Sequence, residues 1–329
     1  MGDIDVKSIT VGVVGLGLMG SSIVVSLLAS GHRVVALAPI PGEKEKAAGH
    51  IADLFRHADA AGMLGSGIDR CIDALKLVED YGQLAPCQVV LECVMEDKAI
   101  KKSVYERIAS SVPAETIIAS NTSAIPISEL QVLVPQPQRF LGVHWAEPAY
   151  MTRFLEVTCG NQTDPQIADY ILQLGIKWDK EPTLLKRDIR GFITNRLMYA
   201  VYREALSLVE AGHITLSDAD KACRYDAGAW MAAMGIVERM KFTGLADHLE
   251  VCRRLFGQLS NREDVPALMQ QLVEAGARGI HNTMGLYAYN ESTAKAWETA
   301  FSGFNKEIYD LATRYHKQQT QSVNEEKVF

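Results

Sequence analysis

The sequence predicts an α/β domain with a doubly wound, mostly parallel sheet, followed by an all-α C-terminal domain. Two observations support this fold class. Strand-like apolar runs alternate with helical segments through residues 1–186, which is the pattern of a parallel sheet covered by helices. From residue 187 to residue 329 the hydrophobic periodicity is helical. The chain has 329 residues, which is long enough for two domains.

A strand, a tight turn and a helix are predicted between residues 9 and 31. The apolar run at residues 9–14 leads directly into GLGLMG, and the apolar segment after it extends to Gly31. Glycine is suited to end a helix because it adopts the left-handed conformation without a steric penalty. A second strand is predicted at residues 33–37. This order of strand, tight turn, helix and strand builds a parallel sheet.

Three glycines, Gly15, Gly17 and Gly20, form a G-x-G-x-x-G motif at that turn. The first two let the backbone turn tightly and approach a pyrophosphate, and the third allows the helix to pack closely on the strand. The helix N-terminus then faces the phosphates with the positive end of its dipole. Because the motif follows a strand and opens a helix, it predicts a Rossmann-type, dinucleotide-binding first domain.

The rest of the first domain continues the alternation. Residues 43–80 predict an arm of two helices beside the sheet, one at residues 43–62 and a shorter one near 66–78. A later helix begins at Asp164-Pro165, an N-cap residue followed by a proline at the first helical position, and runs to about residue 174. A charged helix is predicted at residues 98–110. The remaining predicted strands are residues 88–94, 116–119, 140–143, 154–158 and 176–178.

The second domain is predicted to consist of helices alone. These are placed at residues 192–211, 217–223, 245–257, 264–275 and 291–316.

Composition and charge limit the classes of partner. The formal net charge of −7 argues against nucleic acid or an anionic membrane surface as a partner. No apolar run approaches the roughly 20 residues of a membrane span, and the N-terminus lacks the pattern of a secretory signal. The six cysteines form no C-x-x-C pair, which favours a reducing, cytoplasmic setting. No histidine has companions suited to bind a metal, so no metal site is predicted.

Four polar residues in the middle of the chain form a candidate catalytic set. Ser123, His144 and Glu156 lie at or just after strand-like runs, and Asn195 lies at the start of a helical segment. Histidine is the side chain best suited to exchange a proton near neutral pH, and a carboxylate can orient its ring and raise its basicity. A serine and an asparagine can hydrogen-bond the oxygen whose proton moves. With a dinucleotide nearby, the set predicts alcohol–ketone redox chemistry.

One expected part of the dinucleotide site is missing. An acidic residue at the end of the second strand usually binds the adenosine ribose hydroxyls of NAD. Here the strand continues as RVVALAPIP, and Ala38 occupies that place without an arginine directly after it. Lys44 and Lys46 follow, although they are equally consistent with a solvated helix face. NAD is the predicted cofactor, and NADP is not excluded.

The chain resembles the 3-hydroxyacyl-CoA dehydrogenase superfamily over nearly its whole length. The resemblance rests on several segments in the same order: VGVVGLGLMGSSI, VVLECVMEDKAIKKSVYERI, IIASNTSAIPISEL, RFLGVHWAEPAYMTRFLEV, RGFITNRL and GIHNTMGLYAY. It implies a Rossmann-type domain, a helical C-terminal domain that usually dimerises, and reversible NAD(P)-linked oxidation of a secondary alcohol. The substrate that this resemblance favours is a 3-hydroxyacyl-CoA, and the C-terminal domain is expected to contribute to its binding site.

The resemblance also assigns roles by position. It implies that His144 is the catalytic base, that Glu156 orients it, and that Ser123 and Asn195 position the substrate. The residues that it implies for cofactor binding are Gly15, Gly17, Leu18, Met19, Gly20, Glu96, Lys101 and Asn121.

Several departures from the family pattern leave the substrate open. Relatives that act on acyl-CoA commonly have HFFNP where this chain has HWAEP, so Trp145 and Glu147 are unusual. The arm carries acidic as well as basic residues, although a CoA 3′-phosphate would favour a positive cleft. The HW-x-x-P form also resembles gulonate and carnitine dehydrogenases, which oxidise small hydroxy compounds without CoA. In that case Arg153 or Arg190 would be candidates to bind a substrate carboxylate.

Two further alternatives follow from the same residues. The opening GLGLMG also resembles the 3-hydroxyisobutyrate and 6-phosphogluconate dehydrogenases, but no matching lysine motif occurs near residues 170–190. A catalytically weak, crystallin-like structural protein or nucleotide-binding relative is the other alternative. Ala38 supports that alternative, and the complete serine, histidine, glutamate and asparagine set opposes it.

Overall fold

A computed structural model describes residues 4–65, 67–288 and 290–315 of the chain. They form two units, one ending at Asn195 and the other beginning at Arg196. The first unit contains the sheet and the second is helical. The predicted fold class, an α/β domain followed by an all-α domain, is confirmed.

The sheet of the first unit has the spatial order β3-β2-β1-β4-β5-β6-β7-β8 among the described residues. The strands from β3 to β6 pair in parallel, β7 is antiparallel to β6, and β8 is parallel to β7. The strands are β1 Thr10–Val14, β2 Arg33–Leu37, β3 Leu75–Val78, β4 Val89–Glu92, β5 Ile117–Ser120, β6 Phe140–Trp145, β7 Phe154–Cys159 and β8 Glu181–Leu185.

Helices cover both faces of the sheet and bury two apolar clusters. One cluster includes Ile23 and Leu27 of the first helix, and the other includes Tyr105 and Phe140. Because the central strands are covered on both faces, they are continuous apolar runs rather than alternating ones. The helices of this unit are α1 Leu18–Ala29, α2 Glu43–Ala60, α3 Ile68–Asp73, α4 Lys98–Ser111, α5 Ile127–Gln131 and α6 Pro165–Lys177.

The second unit is helical apart from one isolated bridge between Gly279 and Met284, as far as the described residues extend. A short π-helical turn over Cys223–Ala227 joins its second and third helices. The helices are α7 Thr194–Glu210, α8 Leu216–Ala222, α9 Gly228–Met234, α10 Ile236–Thr243, α11 Leu245–Leu255, α12 Ala267–Glu274 and α13 Glu291–Tyr315. The first two residues of α7, Thr194 and Asn195, still belong to the first unit.

Two predicted elements of the first domain differ from the structure. The shorter arm helix predicted near 66–78 is present as α3 over Ile68–Asp73, but Leu75–Val78 is the edge strand β3, paired in parallel with β2; residue 66 itself lies outside the described residues. The strand predicted at 176–178 is instead the end of α6, and the last strand is β8. Residues 75–78 are a short segment, so pairing with β2 outweighs its local propensity, whereas residues 176 and 177 continue the hydrogen-bonded turns of α6.

Within the described ranges, no helix combines the length and the apolar character that crossing a membrane would require.

Candidate active site

The candidate site lies at the carboxyl edge of the sheet. The parallel strands β1, β4 and β5 end at this edge with Val14, Glu92 and Ser120, and β6 ends there with Trp145. In doubly wound sheets, ligands bind in the crevice outside the carboxyl ends of the strands. The glycine turn and the loop carrying Ser123 therefore start from the edge at which β6 presents His144.

His144 and Glu156 form a hydrogen-bonded pair. His144 Nδ1 lies 3.2 Å from Glu156 Oε2, and the carboxylate is fully buried whereas the histidine side chain is 16 % exposed. The other carboxylate oxygen, Oε1, accepts a hydrogen bond from the backbone N–H of Ile193 at 2.7 Å. The rings of Phe154 and Phe192 pack around the imidazole. With Nδ1 held by the carboxylate, Nε2 is the nitrogen oriented to exchange a proton with a substrate.

Ser123 and Asn195 are also brought together. The side-chain amide of Asn195 donates to the backbone carbonyl of Ser123 at 3.1 Å. The amide of Asn195 thus holds the loop that presents the Ser123 hydroxyl. The substrate-positioning roles of these two residues remain predictions.

A buried ionic network lies behind that loop. Glu92 Oε1 accepts hydrogen bonds from Lys101 Nζ and from the backbone N–H of Val94, both at 2.7 Å. Its Oε2 accepts from the hydroxyls of Tyr105 and Ser120, also at 2.7 Å. Burial, together with the charge of Glu92, raises the pKa of Tyr105 well above its ordinary value. The sequence pattern did not identify Glu92, whose only signal is a carboxylate in the apolar strand VVLE.

Glu96 connects this network to the Ser123 loop. Its Oε2 lies 3.1 Å from Lys101 Nζ, and its Oε1 accepts hydrogen bonds from Thr122 Oγ1 and from the backbone N–H groups of Ser123 and Ala124. Burial would raise the pKa of Glu96, but the Thr122 hydrogen bond and the Lys101 charge outweigh it and lower the pKa. An ionised Glu96 therefore joins the segment after β4 to the segment after β5.

Lys101 and Asn121 were both predicted to contact the cofactor, and the structure gives each a protein partner. The Lys101 side chain is 1 % exposed and lies between Glu92 and Glu96. Asn121 Oδ1 accepts a hydrogen bond from the backbone N–H of Trp145 at 2.9 Å. These contacts support the walls of the site, and a direct contact with the cofactor stays a prediction for both residues.

The glycine turn fits a dinucleotide pyrophosphate. Gly15 has a φ of +90°, and a Cβ on Gly20 would lie 1.9 Å from the Gly15 carbonyl oxygen, so neither position accepts a side chain. A Cβ on Gly17 would meet open space, and Gly17 caps α1 without a side-chain hydrogen bond. The first-turn N–H groups of α1, at Leu18 and Met19, are therefore available to an anion.

The loop after His144 is hydrogen-bonded to α1, the helix that follows the glycine turn. Ser22 Oγ of α1 accepts a hydrogen bond from the backbone N–H of Ala149 at 2.7 Å. Glu147 is hydrogen-bonded with Ser22, while its Oε2 is a buried oxygen without a hydrogen-bond partner among the described residues. Burial raises the pKa of Glu147 to about 7, although the Ser22 hydrogen bond opposes the shift. The carboxyl group is therefore partly neutral near physiological pH.

Lys180 supports the far end of the same loop. Its ammonium donates to the carbonyl oxygens of Ala149 and Thr152 at 2.5 and 2.6 Å and lies 5.5 Å from the Trp145 ring centroid. Trp145 in turn stacks on Trp178 with ring centroids 5.2 Å apart. The unusual tryptophan after His144 is thus a core residue, 2 % exposed.

The two arginines proposed to bind a substrate carboxylate already have carboxylate partners. Arg153 pairs with Asp179 at 2.9 Å and with Glu181 at 2.7 Å. Arg190 is 73 % exposed and lies 3.3 Å from Glu129. Neither side chain requires a ligand to balance its charge.

No cluster of three or more potential metal ligands occurs in the part of the chain that the structure describes.

The chain matches two consecutive family profiles. Residues 10–189 match the 3-hydroxyacyl-CoA dehydrogenase, NAD binding domain, and residues 191–289 match the 3-hydroxyacyl-CoA dehydrogenase, C-terminal domain.

Individual relatives differ in substrate. The 5-formyl-3-hydroxy-2-methylpyridine 4-carboxylate 5-dehydrogenase of Mesorhizobium japonicum is 32 % identical over 87 % of this chain and 92 % of its own. A crystal structure of a 5-dehydrogenase for this pyridine, described as an NAD⁺-dependent dismutase, aligns with a TM-score of 0.86 and 31 % identity over 92 % of this chain and 98 % of that one. The 3-hydroxybutyryl-CoA dehydrogenase of Mycobacterium tuberculosis is 29 % identical over 85 % of this chain and 98 % of its own.

Proposed function

Because the chain belongs to the 3-hydroxyacyl-CoA dehydrogenase family, we propose that it is an NAD-dependent dehydrogenase in which His144 accepts and returns the substrate proton. The observation that carries the proposal is the His144–Glu156 pair, with Nδ1 held at 3.2 Å and Nε2 left for the substrate. The glycine turn, into which no side chain fits at Gly15 or Gly20, supports cofactor binding at the same edge of the sheet.

The residues of the site account for the proton transfer. Bound NAD would supply the acceptor for the hydride that leaves the alcohol carbon. As the alcohol becomes a carbonyl, its hydroxyl proton passes to His144 Nε2, and the Glu156 carboxylate stabilises the imidazolium. General-base catalysis of this kind is worth about 10²–10⁴ in rate. In the reverse direction, the imidazolium returns the proton to the carbonyl oxygen.

Ser123 and Asn195 are proposed to position the reacting oxygen. The Ser123 hydroxyl is presented by a loop held at its N–H by Glu96 and at its carbonyl by Asn195. A loop fixed at both groups orients the hydroxyl before the substrate binds, which lowers the cost of alignment.

The substrate that we favour is a small hydroxy or oxo compound without CoA. The pyridine dehydrogenase is similar to this chain over nearly the full length of both proteins. A CoA ester would be expected to bind at helix α2, but acidic residues there outnumber the lysines and arginines. The acidic residues are Glu43, Glu45, Asp53 and Asp59, and the basic ones are Lys44, Lys46 and Arg56. A CoA 3′-phosphate would be attracted only weakly to such a surface.

A 3-hydroxyacyl-CoA is the second candidate substrate. It is supported by the family match over both domains and by the similarity to 3-hydroxybutyryl-CoA dehydrogenase.

A substrate panel tests the function directly. We would mix the protein with NADH and either acetoacetyl-CoA, free acetoacetate or aromatic aldehydes that carry a carboxylate, and follow the reduced-nicotinamide absorbance. Oxidation of NADH with the compounds without CoA, and not with acetoacetyl-CoA, is the expected result. The opposite pattern would assign the chain to the second candidate. An unchanged absorbance throughout, despite NADH binding, would favour a structural or nucleotide-binding role.

A homodimer formed through residues 187–329 is part of the proposal. The second unit exposes large apolar side chains, including Phe242, Leu245 and Phe256, which are each at least 66 % exposed. Light scattering coupled to size-exclusion chromatography would measure the mass, and a monomer at micromolar concentration would contradict the dimer. The six free cysteines are consistent with the reducing, cytoplasmic setting proposed for it.

A further inference from the structure

The adenosine end of the predicted dinucleotide site has an acidic residue on a neighbouring strand. Strands β2 and β3 pair in parallel, with Leu37 in register with Val78. The ladder continues one step further, because the N–H of Ala38 donates to the carbonyl of Val78 at 2.9 Å. The residue beside Ala38 on the adjacent strand is therefore Glu79.

Register places the two side chains on the same face of the sheet. Residues paired in a parallel ladder point to the same side, and adjacent strands lie only about 4.8 Å apart. Glu79 therefore projects beside Ala38, the position at which an acidic residue usually binds the ribose hydroxyls of NAD. The side chain of a glutamate is long enough to reach from β3 to the position beside Ala38 on the neighbouring strand.

The neighbouring charges orient Glu79 and oppose an extra phosphate. Lys44 Nζ, at the start of α2, lies 3.6 Å from Glu79 Oε2. Glu43 and Glu45 lie in the first turn of α2 together with Lys44 and Lys46, so with Glu79 this region carries three carboxylates and two ammonium groups. The side chain of Asp80 is engaged, since it accepts a hydrogen bond from the N–H of Gly82 at 2.9 Å. Of the two adjacent acidic residues that follow β3, Glu79 is therefore the candidate to bind a ribose.

We propose that Glu79 replaces the missing acidic residue of β2, binds the adenosine ribose hydroxyls of NAD and excludes NADP. The proposal rests on the proposed function, because it assumes that NAD binds at the glycine turn. Lys44 then acts as a positioning residue that holds the Glu79 carboxylate, and its charge is already balanced when NAD binds. A 2′-phosphate would meet the Glu79 carboxylate directly, and like charges at close range disfavour binding.

The test is a set of binding titrations on the full chain. Nicotinamide fluorescence would give dissociation constants for NADH, NADPH and reduced nicotinamide mononucleotide, which lacks the adenosine half. The wild-type chain should bind NADH at least about tenfold more tightly than NADPH. Glu79→Gln should weaken NADH binding about tenfold, as expected for losing a hydrogen bond to a charged group. Binding of the mononucleotide should not change.

Matched variants separate this role from a general effect of charge. Glu45→Gln removes one negative charge from an exposed position in the same turn of α2 and should leave NADH binding unchanged. Glu79→Arg should reduce the preference for NADH over NADPH further than Glu79→Gln does.

Three outcomes would overturn the proposal. Equal NADH affinity in Glu79→Gln and wild type, with NADH oxidation intact, would refute the role of Glu79 and leave the proposed function standing. Tighter binding of NADPH than NADH, lost selectively in Lys44→Met, would show that Lys44 reads a 2′-phosphate instead. A wild-type chain that binds neither dinucleotide would overturn both this proposal and the proposed function.

Discussion

His144 and Glu156 are direct cross-strand partners in the antiparallel pair of β6 and β7, and their side chains meet at 3.2 Å between Nδ1 and Oε2. Opposed residues on antiparallel strands have Cβ atoms about 5 Å apart, which is close enough for an imidazole and a carboxylate to hydrogen-bond. The connection between the two strands, eight residues long, contains Glu147 and Tyr150. The position of the pair is thus set by the pairing of β6 and β7. The loop that joins these strands can therefore vary in sequence without moving the two side chains.

The first prediction concerns the base. His144→Gln should lower kcat by about 10²–10⁴ because the alcohol proton loses its acceptor. The dissociation constant for NADH should not change, since the glycine turn is untouched. Steady-state rates and a fluorescence titration on the same preparation would check both. Retention of more than a tenth of the wild-type kcat would remove His144 from its proposed role.

The second prediction concerns the acidic partner. Glu156→Gln keeps the side-chain volume but removes the charge that stabilises the imidazolium, so kcat should fall by about tenfold or more. Because the two residues act as a unit, the double variant with His144→Gln should be hardly slower than His144→Gln alone. If the double variant instead lost the sum of the two single losses in activation free energy, Glu156 would act independently of His144.

A third prediction addresses the loop that carries Ser123. Asn195→Ala removes the hydrogen bond to the Ser123 carbonyl, which is worth about 1 kcal/mol, so kcat/KM should fall about fivefold. Asn161→Ala, at an exposed position whose side chain makes no hydrogen bond to the described residues, is the matched control. Rates measured at subsaturating substrate would compare the two, and equal values would show that the Asn195 contact does not support catalysis.

A fourth prediction concerns the pH dependence of stability. The folded-state pKa of Glu147 is raised from 4.5 to about 7, so folding favours the protonated carboxyl. That contribution to stability is present below pH 4.5 and is lost as the pH rises through 7. Glu147→Gln should therefore raise the stability at pH 8 by about 1–2 kcal/mol, a value reduced for partial exposure, and change little at pH 4.

Thermal melts across this pH range would measure the effect of Glu147→Gln. Glu115→Gln, at an exposed position, is the control for a change of net charge and should show no such trend. A Glu147→Gln variant that is no more stable than wild type at pH 8 would contradict the raised pKa of this carboxyl and the cost of ionising it in the folded protein.

A fifth prediction concerns the buried ion pair. Lys101→Met leaves the fully buried Glu92 carboxylate without its cation, which should cost about 3–5 kcal/mol of unfolding free energy. Lys102→Met changes an exposed neighbour on the same helix and should cost less than about 1 kcal/mol. Urea denaturation of both variants would compare them, and similar midpoints would show that Lys101 is not needed to balance Glu92.

Features that depend on local pattern could be predicted from the sequence. The glycine turn, the apolar runs of the central strands and the helical second domain are visible as motifs or periodicities, and the structure confirms this fold. The family resemblance had also paired His144 with Glu156, and the structure brings these two side chains together. The catalytic role of the pair is still a proposal.

The polar groups that meet across the sheet could be identified only from the folded protein. The Glu92–Lys101 pair, the contact from Asn195 to the Ser123 carbonyl and the strand β3 depend on partners distant in sequence. A buried carboxylate is stable only where donors from several elements converge on it, and a four-residue strand is stable only beside its neighbour. Such requirements leave no periodic signal in the chain, and for the same reason the position of Glu79 beside Ala38 became visible only from the strand register.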